Sequence, residues 1–357
     1  MECPHLGPDA QQLDSVTFLE LVTQFSDSPE ATAAANTLAA SLLGVEAHEV
    51  SALYMVHYLK SGGGLQNMVS DRKNGNQYLR NSKGINYINY SHDTFVCRIE
   101  RLTIFFIGNQ TFSLDLAGML PAGAVKLLSP VKTIRQDADN CVIETVEGLI
   151  YKSRRVVVSV PTVLYSSVTF EPALPLPKHD LSISTVLGYY SKMVLVYDAP
   201  WWREAGLSGV MESFVGPVSF TRDTCSEEDG QYSITCFLVG EQGRTWSALS
   251  DEDRRTRVLD QIRTVFGVGA NSNHVPEPIK VHEMDWAKEE WIRGAPCPLT
   301  PPGVLTSDAG RAIRDAFGRV HFVGTETSIE FKGYMEGAVR SGIRGAREVV
   351  QALGLDS

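Results

Sequence analysis

Val320-His-Phe-Val-Gly-Thr-Glu-Thr-Ser-Ile-Glu-Phe-Lys-Gly-Tyr-Met-Glu-Gly-Ala-Val-Arg340 reads as a short buried strand, a Gly-Thr-Glu turn and a helix that begins near Gly333. Val320, Phe322 and Val323 supply β-branched and aromatic bulk for the strand. Gly324 lets the backbone turn where a Cβ would obstruct it, and Gly333 frees the mouth of the helix. Further along, Ala338, Gly342, Gly345 and Ala346 are small residues at which another backbone is expected to come close. A helix N-terminus offers unpaired N–H groups and a partial positive charge. Spacing alone leaves two readings open, a bland glycine-to-helix junction and a cofactor site.

Phe-Val-Gly-Thr-Glu-Thr at 322–327 and Gly-Tyr-Met-Glu-Gly-Ala at 333–338 resemble the C-terminal flavin signature of the monoamine oxidase family, its fungal members above all. The resemblance runs from about Asp14 to Leu353. It implies a mixed α/β chain (α+β): an incomplete FAD-binding amine-oxidase fold with a substrate domain of sheet plus helices. It also implies that Gly324, Thr325, Glu326, Gly333, Tyr334 and Met335 face FAD. The helix N-terminus would then stabilise the negative charge of reduced flavin, which is electrostatic preorganisation.

Composition is compatible with this. The chain has 357 residues, 43% hydrophobic and 21% charged, enough for one or two sizeable cores. A net charge of −10 argues against a general nucleic-acid surface. Six cysteines without a CxxC pair and eight histidines without HxxxH or HExxH spacing fit no metal template, and the thiols are expected to be reduced. No secretory leader, membrane span or Ser-Lys-Leu ending is read, so the expectation is a cytoplasmic protein.

Residues 14 to about 61 read as helices. Leu19, Val22 and Phe25 recur at helical spacing, Ser28-Pro29 is a start signal, Gly44 a stop, and Val50, Leu53, Tyr54, His57 and Tyr58 share a face. Gly62-Gly63-Gly64 follows a helix, not a strand, so it reads as a stop and not a phosphate loop. Residues from Ala124 to Tyr151 and Arg154 to Val160 are rich in β formers, and a charged helix is expected from Asp251 to about Phe266. Lys192 interrupts the apolar run Leu187-Gly-Tyr-Tyr-Ser-Lys-Met-Val-Leu-Val-Tyr197, where an ammonium is costly without a partner.

Carried onto matching positions, the resemblance assigns Val131 to the adenine end of FAD, Lys192 to a water at flavin N5, and Trp286 to the flavin's surroundings. Tyr334 becomes one half of an aromatic amine cage. The other half falls at Pro296, which departs from the family pattern. Counting back six residues from Pro301-Pro302-Gly303 reaches Ala295, where relatives with covalent flavin have cysteine; Cys297 lies two residues late, so noncovalent FAD is expected. The implied division is 14–83 substrate-domain helices, 84–107 an atypical insertion, 108–165 an FAD-domain β segment, 166–285 substrate domain and 286–357 a C-terminal FAD-binding segment.

Residues 84–107 have no place in the family pattern and read either as a retained intron or as an ordinary surface insertion. A GxGxxG unit with its downstream acid is missing, as in an N-terminally truncated chain. The activity implied is oxidation of a primary or secondary amine to an imine with O2 as acceptor, with a small amine as partner, a homodimer left open, and no nucleic acid, membrane or metal. Polyamine or L-amino-acid oxidation, and a non-catalytic fragment or partner-binding module, are the alternatives.

Overall fold

A computed structural model describes residues 4–70, 75–76, 110–267 and 275–355. The insertion expected at 84–107 lies outside the described residues. Backbone contacts separate one unit, Met1–Gly63 with Val131–Ser357, from a second, Gly64–Pro130. Every expected site residue falls in the first.

The first unit begins with four helices, α1 (Ala10–Asp14), α2 (Phe18–Thr23), α3 (Pro29–Leu43) and α4 (Ala52–Ser61). Their boundaries follow local chemistry. Thr17 caps α2 in a capping box with Glu20, Ser28 caps α3 with Pro29 in the first turn, and the left-handed Gly44 ends α3. Phe25 falls beyond the end of α2 and is 85% exposed, so it does not continue the Leu19–Val22 stripe. The fully buried Asp14 ties the helices to the C-terminal part of the chain. Its carboxylate accepts from Ser51 Oγ at 2.6 Å and from the Thr306 N–H and Oγ, both at 2.8 Å.

Of the second unit, α5 (Leu65–Val69) and α6 (Gln110–Gly118) are described. The β structure expected from Ala124 begins only at Val131. Pro130 cannot donate to a ladder, and Leu127 and Leu128 are exposed, so nothing draws 124–130 into a sheet.

Three sheets follow. β1 (Val131–Gln136), β2 (Cys141–Thr145) and β3 (Ile150–Ser153) form an antiparallel meander, and β5 (Thr169–Glu171) adds parallel to β1. β4 (Val156–Val158) pairs in parallel with β10 (Val320–Phe322), in the register Val156↔Val320. Ile134, Val158, Tyr165, Phe170, Val320 and Phe322 form their shared core, with Val131 packed against it.

The third sheet has the order β7 (Phe220–Asp223), β8 (Tyr232–Val239), β6 (Tyr190–Tyr197), β9 (Lys280–Asp285), all antiparallel. On β6 the alternation is strict. Met193, Leu195 and Tyr197 enter a core completed by Trp202, Trp246 and the apolar side of a later helix, while Tyr190, Lys192 and Val194 share the opposite face. The remaining helices are α7 (Leu176–Ser184), α8 (Trp201–Glu204), α9 (Gly240–Ser247), α10 (Asp251–Phe266), α11 (Asp308–Arg311) and α12 (Met335–Ala352). Among the described residues no helix is long and apolar enough to cross a membrane.

α12 is the helix expected after Gly333, but of the four small residues expected to come close to another backbone only Gly345 is buried. Gly337, Ser341 and Gly345 are buried, one helical turn apart, whereas Ala338, Gly342 and Ala346 face outward. A Cβ on Gly337 would stand 2.2 Å from the Phe331 carbonyl oxygen, and one on Gly345 would stand 2.4 Å from Val323 Cγ1; at Gly342 the space is open. The phase of the helix against β10 chooses the first set, and periodicity cannot distinguish adjacent small residues.

Candidate active site

The turn from β10 to α12 is built on glycines with left-handed backbone. Gly324 has φ 139° and Gly333 φ 83°, and a Cβ on Gly333 would lie 2.5 Å from the Tyr58 hydroxyl. The turn is braced from several sides. The Gly324 N–H donates to Ser341 Oγ at 3.0 Å, and Thr325 Oγ donates to the Tyr334 carbonyl at 2.9 Å. Arg344 donates to the Phe322 carbonyl at 2.7 Å. Glu326 is buried beneath the turn, where its carboxylate accepts from the Thr162 N–H at 3.0 Å. Burial raises its pKa, opposed by the backbone N–H groups of Glu326 and Thr162 and by Lys332. The carboxylate therefore supports the turn from inside.

Tyr334 is the N-cap of α12, in extended backbone and with no side-chain cap bond to the helix, and Met335, the first helical residue, is 56% exposed. Around Tyr334 lie phenols that the sequence did not single out. Burial raises the pKa of Tyr58 well above its ordinary value, and the nearby Cys297 thiol and the Tyr334 and Tyr190 phenols push it further. Burial likewise raises Tyr190, with Tyr334 adding to it. Tyr190 sits on the same face of β6 as Lys192, and both meet Phe237 of β8: the Tyr190 ring edge-on at 6.4 Å, the Lys192 Nζ 5.0 Å from the ring centroid.

Lys192 has no hydrogen bond or ion pair among the described residues, and burial lowers its pKa. Trp286 is half-buried just after β9, next to Asp285, whose partner in the ladder is Ser191, the neighbour of Lys192. Tyr58 and Tyr190 thus lie near Tyr334, and Lys192 and Phe237 adjoin Tyr190, while Trp286 follows the strand beside β6. Val131 is not in this group; it packs on the core beneath β10 and β4. The signal for Tyr58 was present in the helical spacing of Tyr54 and Tyr58, whose rings stack at 6.2 Å. That for Tyr190 and Phe237 was only strand alternation, which names a face and not its occupants.

Cys297 is 2% exposed, with Sγ 3.5 Å from both the Tyr54 hydroxyl and the Pro298 carbonyl oxygen. Burial pushes its thiol up to about 12, with Glu326 adding to the rise while Lys332 opposes it. A protonated, enclosed thiol is a poor nucleophile. Pro296, where the second half of the cage was expected, is exposed. Further out, a cleft of about 1120 Å³ opens between α3 and the wall formed by residues 212–220 and α9. Asn36, Ser41, Glu212 and Phe220 are among its lining residues, and Phe220 stacks on Phe237 at 4.4 Å.

Comparison with known proteins bears on family and fold. The family model described as flavin containing amine oxidoreductase matches residues 8–350. The chain is 30% identical over 355 residues to flavin-containing amine oxidase B of Sus scrofa and 28% identical over 350 residues to a probable flavin-containing monoamine oxidase A of Dictyostelium discoideum. These matches use 99% and 98% of the chain but 62% and 70% of those proteins, so the chain spans less than two thirds of the length of the first. Among solved structures, cyclohexylamine oxidase from Brevibacterium oxydans superposes with a TM-score of 0.82 at 28% identity, covering 98% of this chain and 71% of that one. Putrescine oxidase with putrescine bound gives 0.81 at 27% identity, with the same coverage. With residues 8–350 matched, the chain belongs to the family of flavin-containing amine oxidoreductases.

Proposed function

We propose that the region around Tyr334 and Lys192 is the amine-side half of a flavin site, and that the protein oxidises a primary or secondary amine to its imine. The observation that carries this reading is the meeting of two unrelated elements. The Gly324–Tyr334 turn reaches the phenol of Tyr190, which shares Phe237 with Lys192 on β6, a lysine with no hydrogen bond or ion pair among the described residues.

The residues fit an FAD isoalloxazine. The turn is stripped of side chains at Gly324 and Gly333, and the α12 N–H groups present positive charge to an anionic ring. Bound there, FAD would supply the two-electron oxidation chemistry, with O2 as the final acceptor. Overall R–CH2–NH2 and O2 give R–CH=NH and H2O2, and water then converts the imine to an aldehyde and ammonia. Tyr334, with Tyr190 and Tyr58, positions the neutral amine and excludes water; Lys192 holds a water by its ammonium. Trp286 completes the wall, and the cleft beside Phe220 is the route of entry. Val131 lies toward the adenine end, and the buried, protonated Cys297 favours noncovalent FAD.

The purified chain, titrated with FAD and assayed for peroxide with benzylamine, putrescine and an L-amino acid, tests the reading and separates monoamine, polyamine and amino-acid oxidation. K192M should retain the flavin spectrum and lose about tenfold or more in oxidase rate. The exposed apolar stripe Met335, Val339 and Ile343 on α12 favours a second reading, in which the chain by itself holds FAD weakly and serves as a partner-binding module. No flavin absorbance at saturating FAD, with no peroxide from any of the three, would leave only that second reading.

A further inference from the structure

The turn that carries Tyr334 contains a group the chemistry above does not use. Lys332 is 4% exposed, and among the described residues it has no carboxylate within ion-pair distance. Its Nζ donates to the Glu326 carbonyl oxygen at 2.5 Å and lies 5.9 Å from the centre of the Tyr54 ring. Removing an ammonium from water is costly, and one backbone acceptor with an aromatic face compensates only in part. A buried cation of this kind is weak as a stabiliser of the whole molecule.

Its place in the chain indicates what it does instead. Lys332 stands between Phe331, a non-glycine residue at φ 52°, and Gly333 at φ 83°. A non-glycine residue with left-handed backbone, such as Phe331, persists only where its surroundings hold it. The Phe331 N–H is held by the Ser61 carbonyl at 2.9 Å, and the Tyr334 N–H by the Phe331 carbonyl at 3.0 Å. The link from Thr325 Oγ to the Tyr334 carbonyl ties the first part of the turn to the last by a part-buried bond. Lys332 makes the corresponding tie from the interior, from the last part back to Glu326.

We propose that Lys332 is a positioning residue for this site. Its ammonium, anchored on the Glu326 carbonyl between the turn and the Tyr54 ring, fixes the path of residues 325–334 and thereby the placement of Tyr334 and the start of α12. The aliphatic stem alone does not do this, because the tie is made by the terminal nitrogen. The proposal rests on the reading of Tyr334 as an amine-positioning residue only for its effect on turnover; the effect on the turn stands apart from it.

Hydrogen exchange of the purified chain, wild type against K332M, reads the turn without any cofactor. Methionine keeps the volume and removes the donors. Amides of residues 325–334 should exchange about tenfold faster or more, while those of β6 and β8 keep their wild-type rates. If K332M does not fold, K332Q serves in its place: it keeps a polar end but stops one atom short of the carbonyl, and the same local acceleration is expected. Unchanged exchange at 325–334 would overturn the proposal, and so would acceleration spread equally over β6 and β8, which marks a general core residue. In FAD-loaded protein the same variant should raise KM for benzylamine about fivefold or more, with kcat changed less than about twofold. A loss confined to kcat would contradict positioning. Absence of turnover in the wild type would count against the oxidase reading and leave the exchange result to decide the role of Lys332.

Discussion

Gly333 shows how much a single position can demand. Its φ of 83° and its contact with the Tyr58 hydroxyl at 2.5 Å (for an added Cβ) exclude any side chain without displacement. G333A should therefore cost about 1–3 kcal/mol in a urea melt and shift the ring of Tyr58. Cys297 makes the opposite point, that a reactive residue type is inert when enclosed. With its thiol held up at about 12, native protein at pH 8 should leave Cys297 unmodified by a thiol reagent that labels it fully in denaturant, and peptide mapping checks this. The Gly-Thr-Glu and Gly-Tyr-Met signatures were legible because their residue types are fixed by local backbone need. Tyr58, Tyr190 and Phe237 were not, since an aromatic residue on a helix or strand face carries no mark of what it will face.

At the scale of elements, α12 depends on which of its small residues meets β10. Gly345 packs on Val323, so G345V should destabilise the chain by about 1–3 kcal/mol through overpacking. Gly342, three residues earlier, has open space, and G342A should be neutral or stabilising by up to about 1 kcal/mol through helix propensity. Paired urea midpoints of the two variants check both statements, and equal effects would show that the phase of α12 is not as described. Helix boundaries were well read in advance because Ser28, Gly44 and Gly62 act locally, as caps and stops. The facing of α12 and the late start of β1 were not, because both depend on contacts with distant chain.

For the whole molecule, buried charge links stability to pH. Lys178 on α7 is 2% exposed; its Nζ donates to the Ala312 carbonyl at 2.5 Å and lies 4.2 Å from the centre of the Phe322 ring. Burial lowers its pKa from 10.5 to about 8. Between these values the unfolded chain keeps the proton and the folded chain has lost it, so stability rises with pH across that window. Relative to K178M, in which the other titrating groups cancel, the wild type should gain about 3 kcal/mol from pH 8 to 10.5, read as a widening difference in urea midpoint. A flat difference would show that Lys178 keeps its ordinary pKa in the folded chain. The sequence by itself determined the family, the strand–turn–helix of residues 320–350 and the main helix limits, because these rest on local backbone requirements and on motif residues adjacent in the chain. Only the tertiary structure decided that Tyr58 and Tyr190 lie beside Tyr334, that Lys192 and Tyr190 share Phe237, that Val131 stands apart from them, and that Lys332 lies buried beneath the turn. Those relations join residues up to hundreds of positions apart, through strand register and helix phase, and no local pattern encodes either.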